Sequence, residues 1–99
     1  MIITARYYGF VSSLTKKLME EISLPEGSTV SDLIALLEKK YGYKFRQLCF
    51  IRPLYSEKDY LNIFVNTKDL NNLKLFPDGL NTLLKEGDIV SFGPTSGAA

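Results

Sequence analysis

One well-delimited amphipathic helix, lying between segments of strand character, constrains the fold of this chain more than any other feature. Thr29 is placed to cap its N-terminus, and Asp32 can complete a capping box. Gly42 is expected to end the helix in a left-handed conformation. The apolar side chains that share one face are Val30, Leu33, Ile34, Leu37 and Tyr41. We expect this face to pack across a sheet formed by the other segments.

The residues before this helix predict a β-hairpin. Residues 1–8 are rich in β-branched and aromatic side chains and alternate in polarity, which is typical of a half-buried strand. Residues 10–17 are expected to form the connecting loop, and residues 18–24 to form the returning strand. The neighbouring Glu20 and Glu21 are interpreted as part of a solvated face.

The residues after the helix predict a shorter helix and two further strands. Residues 43–60 are expected to contain a short helical stretch, and their role is left open. Residues 61–65 and 89–92 have the alternating pattern of strands, whereas residues 67–82 are expected to be mostly irregular. The apolar anchors expected in the irregular segment are Leu70, Leu73, Leu75 and Phe76.

This order of elements predicts a single α+β domain over residues 1–99, with a mixed sheet crossed by one main helix. The connection through the helix should bring the last strand beside the first and leave one face of the sheet uncovered. Residues 93–99 are expected to form a flexible C-terminal tail.

The composition argues against several classes of function. The chain has no histidine, which removes the commonest general base and metal ligand. Its one cysteine, Cys49, has apolar neighbours and is expected to be a buried packing residue. A net charge of +1 with scattered lysines argues against a nucleic-acid partner, and the short apolar runs argue against a membrane. We expect no metal site and a reducing, cytoplasmic location.

Five short motifs spread over nearly the whole chain resemble one protein family. They are Arg-Tyr-Tyr-Gly at 6–9, Leu-Pro-Glu-Gly-Ser-Thr-Val-Ser-Asp-Leu at 24–33, Phe-Val-Asn at 64–66, Gly-Leu-Asn-Thr-Leu-Leu at 79–84 and Lys-Glu-Gly-Asp-Ile-Val at 85–90. Together they resemble the small subunit of molybdopterin synthase and, more distantly, the thiamine sulfur carrier. Both are ubiquitin-like β-grasp proteins, so the resemblance implies that fold.

The resemblance implies a sulfur carrier in molybdenum cofactor biosynthesis rather than a free-standing enzyme. In that family an adenylating enzyme similar to the ubiquitin-activating enzymes uses ATP to activate the C-terminal carboxylate, which becomes a thiocarboxylate. The tail then enters the large synthase subunit and donates sulfur to a pterin precursor. The expected partners are these two proteins, and no cofactor is expected to bind this chain.

The resemblance places the reactive end at Gly97, Ala98 and Ala99, with the thiocarboxylate on Ala99. The family ends in Gly-Gly, whereas this chain ends in Ala-Ala. Glycine passes a narrow channel more easily because it has no Cβ, so two added methyl groups should raise the cost of insertion. The alternative interpretation of these residues is an inert chain end.

Tyr8, Phe64 and Pro94 are the predicted partner-binding residues. Tyr8 and Phe64 are expected to lie side by side on adjacent strands of the uncovered sheet face, where exposed aromatic side chains suggest a docking surface. Alternatively, residues 43–60 fold over that face and bury them. Two other functions stay open: a non-catalytic interaction module, and a ubiquitin-like modifier that has lost its reactive end.

Overall fold

The computed structural model describes residues 1–54 and 56–94, and the tail residues predicted to be reactive lie outside them. Within these residues, seven strands and three α-helices form. The strands are β1 (Ile2–Tyr7), β2 (Met19–Ser23), β3 (Phe50–Ile51), β4 (Tyr60–Leu61), β5 (Ile63–Val65), β6 (Lys68–Asp69) and β7 (Ile89–Phe92). The helices are α1 (Gly9–Thr15), α2 (Val30–Tyr41) and α3 (Tyr43–Leu48), with a 3₁₀ turn at Gly79–Asn81.

Five of these strands form one mixed sheet in the order β2-β1-β7-β5-β6, and β3 pairs with β4 in a separate ribbon. Strands β1 and β7 run parallel, with Thr4 opposite Ile89 and Tyr7 opposite Phe92. The other neighbouring strands are antiparallel. The last strand therefore lies beside the first, as predicted, and the α+β class is confirmed.

Helix α2 begins where the sequence predicts. The Thr29 hydroxyl accepts a hydrogen bond from the Asp32 N–H at 3.1 Å, and the Asp32 carboxylate accepts one from the Thr29 N–H at 2.9 Å. The predicted apolar stripe is buried except for Tyr41, which is half-buried. No helix in residues 1–54 and 56–94 is long and apolar enough to cross a membrane.

The end of helix α2 differs from the prediction at Gly42. This residue has φ +93° and ψ 173°, which favours glycine but is not the left-handed helical conformation. The reason is that the chain turns directly into α3, and the Gly42 carbonyl accepts a hydrogen bond from the Phe45 N–H at 3.0 Å. Helix α3 is the short helical stretch expected in this segment.

The core lies between α2, α3 and the sheet, and its centre is aromatic. The rings of Phe45 and Phe92 lie 5.1 Å apart in an edge arrangement, and both contact the ring of Tyr7. Cys49 is buried as predicted, and burial raises its pKa to about 12. Its thiol is therefore protonated near neutral pH and acts in packing.

The prediction of a loop over residues 10–17 is wrong, because most of them belong to helix α1. Val11 and Thr15 lie on one face of this helix and are buried. The helix ends at Lys16, which has φ +61° and donates its N–H to the Ser12 carbonyl at 2.8 Å. The segment is short, so burial of a few side chains against the core decides its conformation.

The predicted strand over residues 61–65 is divided at Asn62. The Asn62 N–H donates to the Cys49 carbonyl at 2.8 Å, and the Asn62 carbonyl accepts the Gly93 N–H at 2.9 Å. As a result, β4 pairs with the β3 ribbon and β5 pairs with the main sheet.

The segment after β5 is more ordered than predicted. Asn66 and Thr67 both have positive φ, at 50° and 69°, and form a two-residue hairpin turn into β6. Leu70 is buried, as expected for an anchor. Leu73 and Leu75 are not anchors, since 69% and 51% of their surfaces are exposed, and Phe76 is half-buried.

Candidate functional site

The C-terminal tail leaves the sheet at Gly93, directly after β7. The Gly93 N–H donates to the Asn62 carbonyl at 2.9 Å, and the Tyr8 N–H donates to the Phe92 carbonyl at 3.0 Å. Gly93 has φ +86°, and a Cβ at this position would lie 2.8 Å from the Tyr8 carbonyl oxygen and 3.0 Å from the Val11 side chain. The backbone at the end of β7 is therefore fixed at Gly93.

The carbonyl that a Cβ at Gly93 would strike is itself held in place. The Tyr8 carbonyl accepts hydrogen bonds from the N–H groups of Val11 at 3.0 Å and Ser12 at 3.4 Å, in the first turn of α1. Pro94, the next residue of the tail, is exposed. We call this arrangement of Tyr8, Val11, Asn62 and Gly93 the tail exit. The predicted reactive residues 97–99 lie outside the described residues, beyond this exit.

The sheet face away from the helices carries one row of side chains across all five strands. Their side chains point away from the helices, their strand register puts them opposite one another, and among them Ser91 is buried. The members of this row are Met19, Arg6, Ser91, Phe64 and Asp69. Exposed Ile2 and Ile89 lie on the same face. The face is therefore mixed in character, with apolar side chains beside charged ones.

Tyr8 and Phe64 do not lie on adjacent strands, contrary to the prediction. Strand β7 separates β1 from β5, and the neighbours of Phe64 across the sheet are Ser91 and Asp69. The strand order causes the difference, because β7 inserts between the two strands that the sequence alone suggested as neighbours. Their partner-binding roles, and that of Pro94, stay predictions.

Part of residues 43–60 does form a wall beside Phe64. A groove of about 380 Å³ lies between the ribbon and the sheet, and Phe64 is half-buried there. Its apolar lining consists of Ile51, Pro53, Leu54, Tyr60, Leu61 and Phe64. Tyr8 is away from this groove and is 39% exposed. Phe64 and Tyr8 therefore lie in different environments.

The interpretation of Glu20 as a solvated side chain is wrong. One carboxylate oxygen accepts hydrogen bonds from the hydroxyls of Tyr7 at 2.6 Å and Tyr41 at 2.5 Å. The other accepts from the ammonium groups of Lys40 at 2.7 Å and Lys17 at 3.2 Å. The Glu20 side chain is only 11% exposed. The signal was present in the sequence, since Glu20 shares the parity of the inward-facing Ile22 on β2.

We call this arrangement the Glu20 cluster; it consists of Glu20, Tyr7, Lys17, Lys40 and Tyr41. Contacts within the cluster shift the pKa values of Glu20 and Tyr7. Partial burial would raise the pKa of Glu20, but the hydrogen bonds from Lys40, Tyr41, Tyr7 and Lys17 hold it at about 2. Burial and the Glu20 carboxylate together raise the pKa of Tyr7. The cluster ties the edge strand and the end of α2 to Tyr7, which pairs with Phe92 immediately before the tail exit.

We expect this depressed pKa to make the stability of the domain depend on acidity. The carboxyl has a pKa of about 2 when folded against 4.5 as a free side chain. Its contribution is therefore fully present above about pH 4.5 and is lost as the pH falls toward 2, with a total of about 3 kcal/mol. Urea unfolding followed between pH 7 and pH 2 measures this slope.

The matched variant for this experiment is Glu20→Gln, which keeps the shape of the side chain and removes its titration. Other carboxylates titrate in the same range, so the difference between the two proteins isolates Glu20. The free energy of unfolding of Glu20→Gln should fall less steeply below pH 4.5. Equal slopes in the two proteins would contradict the role assigned to the carboxylate.

The described residues contain no cluster of three cysteine, aspartate or glutamate side chains that could hold a metal ion. Strand β7 leads directly to the tail exit at Gly93.

Comparison with known proteins gives a family and several similar folds. The model of the ThiS family matches residues 5–95. None of the curated proteins compared with this chain matches it. Among solved structures, a Pyrococcus furiosus protein assigned as molybdopterin converting factor, subunit 1, is 31% identical, with 91% of this chain and 92% of that chain covered and a TM-score of 0.67.

Two more distant structures share the fold. Small archaeal modifier protein 1 from Methanosarcina acetivorans is 24% identical, with 97% of this chain and 95% of that chain covered and a TM-score of 0.67. The Mycobacterium tuberculosis antigen CysO is 23% identical, with 90% of this chain and 93% of that chain covered and a TM-score of 0.60. At these identities the likeness concerns the fold alone.

Proposed function

We propose, from the premise that this chain belongs to the ThiS family of ubiquitin-like β-grasp sulfur carriers, that it is the small subunit of a molybdopterin synthase. In this role its C-terminal thiocarboxylate donates sulfur during molybdenum cofactor biosynthesis. The choice of this pathway over thiamine synthesis is supported by the likeness to the Pyrococcus furiosus protein, at 31% identity over most of both chains.

The tail exit is the observation that carries this proposal. Strand β7 lies inside the sheet between β1 and β5, and Gly93 holds the start of the tail against Tyr8 and Asn62. An extended chain rises by about 3.3 Å per residue, so residues 95–99 can reach about 16 Å beyond Pro94. That length allows a terminal carboxylate to enter a site buried in another protein.

The chemistry would take place in the partner proteins. The adenylating enzyme would use ATP to form an acyl adenylate on the carboxylate of Ala99 and would release pyrophosphate. A sulfide-level sulfur donor would then form the new carbon–sulfur bond, displace AMP and leave the thiocarboxylate. Ala98 and Gly97 would lie inside the narrow part of the channel that leads into the large synthase subunit. In this proposal the chain binds no cofactor of its own and acts in the reducing cytoplasm.

A second candidate is a non-catalytic interaction module with the same fold. Ala98 and Ala99 favour it, because the resemblance implies glycines at these positions and each Cβ adds bulk at the narrowest part of the path. In this case the sheet face would bind a partner while the tail has no chemical role. A ubiquitin-like modifier would need the same activation and meets the same objection.

Intact-mass spectrometry separates the two candidates. The chain would be incubated with ATP, a sulfur source and the host's adenylating enzyme, beside an Ala98→Gly/Ala99→Gly variant and a Gly-Gly-ended small subunit known to react with that enzyme. We expect both forms of this chain to gain the mass of one oxygen-to-sulfur exchange, with the Gly-Gly variant reacting faster.

Two other outcomes would contradict the sulfur-carrier function. Reaction of the Gly-Gly variant alone would show a scaffold that still docks but has lost its reactive tail, which supports the interaction module. Reaction of the control subunit alone would overturn the sulfur-carrier role.

If this chain forms the thiocarboxylate, transfer of its sulfur to a pterin precursor in the presence of the large synthase subunit tests the molybdenum pathway itself.

A further inference from the structure

An apolar groove of about 490 Å³ lies between α1 and α3, outside the sheet face and the tail exit. Phe10 stands at its edge with 66% of its surface exposed. Leu14 and Leu48 form its floor and are packed partly against the core. The residues that line it are Phe10, Ser13, Leu14, Lys44 and Leu48. We call it the α1–α3 groove.

The groove continues along α1 into a basic depression. This depression, of about 260 Å³, is lined by Ser12, Ser13, Lys16, Lys17 and Leu18, and Ser13 lines both. Leu18, which lines the basic depression, is a second large apolar side chain and is 77% exposed. The two depressions therefore adjoin at Ser13, and each carries an exposed apolar side chain.

The charges on this surface have one sign. Three lysines and no acidic residue line the two depressions. Lys17 is paired with Glu20 at 3.2 Å, but within residues 1–54 and 56–94 neither Lys16 nor Lys44 has an acidic partner. These two lysines therefore remain available, Lys44 in the α1–α3 groove and Lys16 in the basic depression.

The exposure of Phe10 has no explanation in the packing of the domain. The next residue, Val11, is buried and supports Gly93 at the tail exit, so α1 is already attached to the fold without Phe10. A large aromatic side chain that is exposed beside a concave apolar surface is typical of a protein-binding site. The feature thus points to a partner rather than to stability.

We propose that the α1–α3 groove docks an acidic amphipathic segment of a partner protein. Large apolar side chains of that segment would pack between Phe10 and Leu48, and its carboxylates would face Lys16 and Lys44. Charge complementarity selects an acidic partner, and the concave apolar floor selects protein side chains over a nucleic acid or a flat lipid surface. This surface is separate from the reactive tail and goes beyond the sulfur-carrier function.

The position of the groove gives such a partner a defined relation to the tail. Helix α1 carries Phe10 on its exposed side and contacts Gly93 through Val11. A protein that docks in the groove is therefore adjacent to the tail exit.

Nuclear magnetic resonance titration of the ¹⁵N-labelled chain tests the proposal. The probe is a short synthetic peptide with leucine and phenylalanine on one helical face and glutamate on the other. Its matched control has lysine in place of every glutamate. We expect saturable amide shifts confined to residues 9–18 and 43–48 with the acidic peptide, and none with the basic one.

Variants distinguish the groove from general charge attraction. Reversing both available charges in Lys16→Glu/Lys44→Glu should weaken binding by at least about tenfold, since two favourable charge pairs become repulsive. Lys74→Glu/Lys85→Glu makes the same change in net charge at exposed positions outside the lining and should leave binding within about twofold. Phe10→Ala should weaken binding without unfolding the chain, which the same spectra report.

Shifts that map to the open sheet face, or equal binding of the acidic and basic peptides, would overturn the proposal. So would stronger shifts in the same residues with phosphatidylcholine vesicles containing one third phosphatidylserine, or with a single-stranded oligonucleotide. No adenylating enzyme or sulfur source is present in these titrations. The outcome is therefore independent of the mass-spectrometric test of the carrier function.

Discussion

Replacing Glu20 with alanine is expected to lower the free energy of unfolding by about 3 kcal/mol at neutral pH. The substitution leaves the hydroxyl of Tyr7, a residue only 2% exposed, without its acceptor at 2.6 Å. It also removes the anion that binds Lys40 and Lys17, and the acceptor of the Tyr41 hydroxyl. Urea unfolding at pH 7, followed by circular dichroism, measures the change.

The adjacent residue provides a matched control. Glu21 lies on the opposite face of β2, is exposed, and pairs with Thr4 across the strands. Glu21→Ala should change the free energy of unfolding by no more than about 0.5 kcal/mol, because it removes no buried partner. If the two alanine variants are equally stable, the Glu20 cluster does not stabilise the fold.

Replacing Gly93 with alanine is expected to reduce the rate of thiocarboxylate formation by about a hundredfold, since a misplacement of about 1 Å has effects of this size. The added Cβ would lie 2.8 Å from the Tyr8 carbonyl oxygen, which the first turn of α1 holds in place. The backbone must therefore move and redirect the tail. The initial rate of modification, measured by intact mass with the same activating enzyme, reports the effect.

Gly87→Ala separates redirection of the tail from ordinary backbone strain. Gly87 has φ +84°, close to the +86° of Gly93, but no atom lies within 4 Å of the position that its Cβ would occupy. Gly87→Ala should therefore lose about 1 kcal/mol of stability and react at the normal rate. A similar loss of rate in both variants would rule out the tail exit as the cause.

The sequence predicts the fold and the family, but it does not predict the Glu20 cluster. Motifs spread over the chain predicted the β-grasp fold and the family, and both are confirmed. Glu20 was misinterpreted because a glutamate in a strand is normally solvated, and its partners Tyr41 and Lys40 lie about twenty residues away. Only the packing of α2 against β2 brings these groups together.

Local interactions determined what the sequence alone predicted correctly. The capping box of Thr29 and Asp32, and the apolar stripe of α2, act within one or two helical turns and can be read without knowledge of distant contacts. The alternation of polarity in residues 1–8 likewise predicted a half-buried strand, and β1 is buried on one face only.

Tertiary structure alone decided the helical state of α1, the position of β5 on the far side of β7 from β1, and the surroundings of Gly93. A helix of seven residues is marginal by itself, so burial of Val11 and Thr15 is needed to establish it. Strand order depends on contacts between residues far apart in sequence, and alternation says nothing about which strands are neighbours. The backbone position of Gly93 follows from both, because this residue lies between the start of α1 and Asn62.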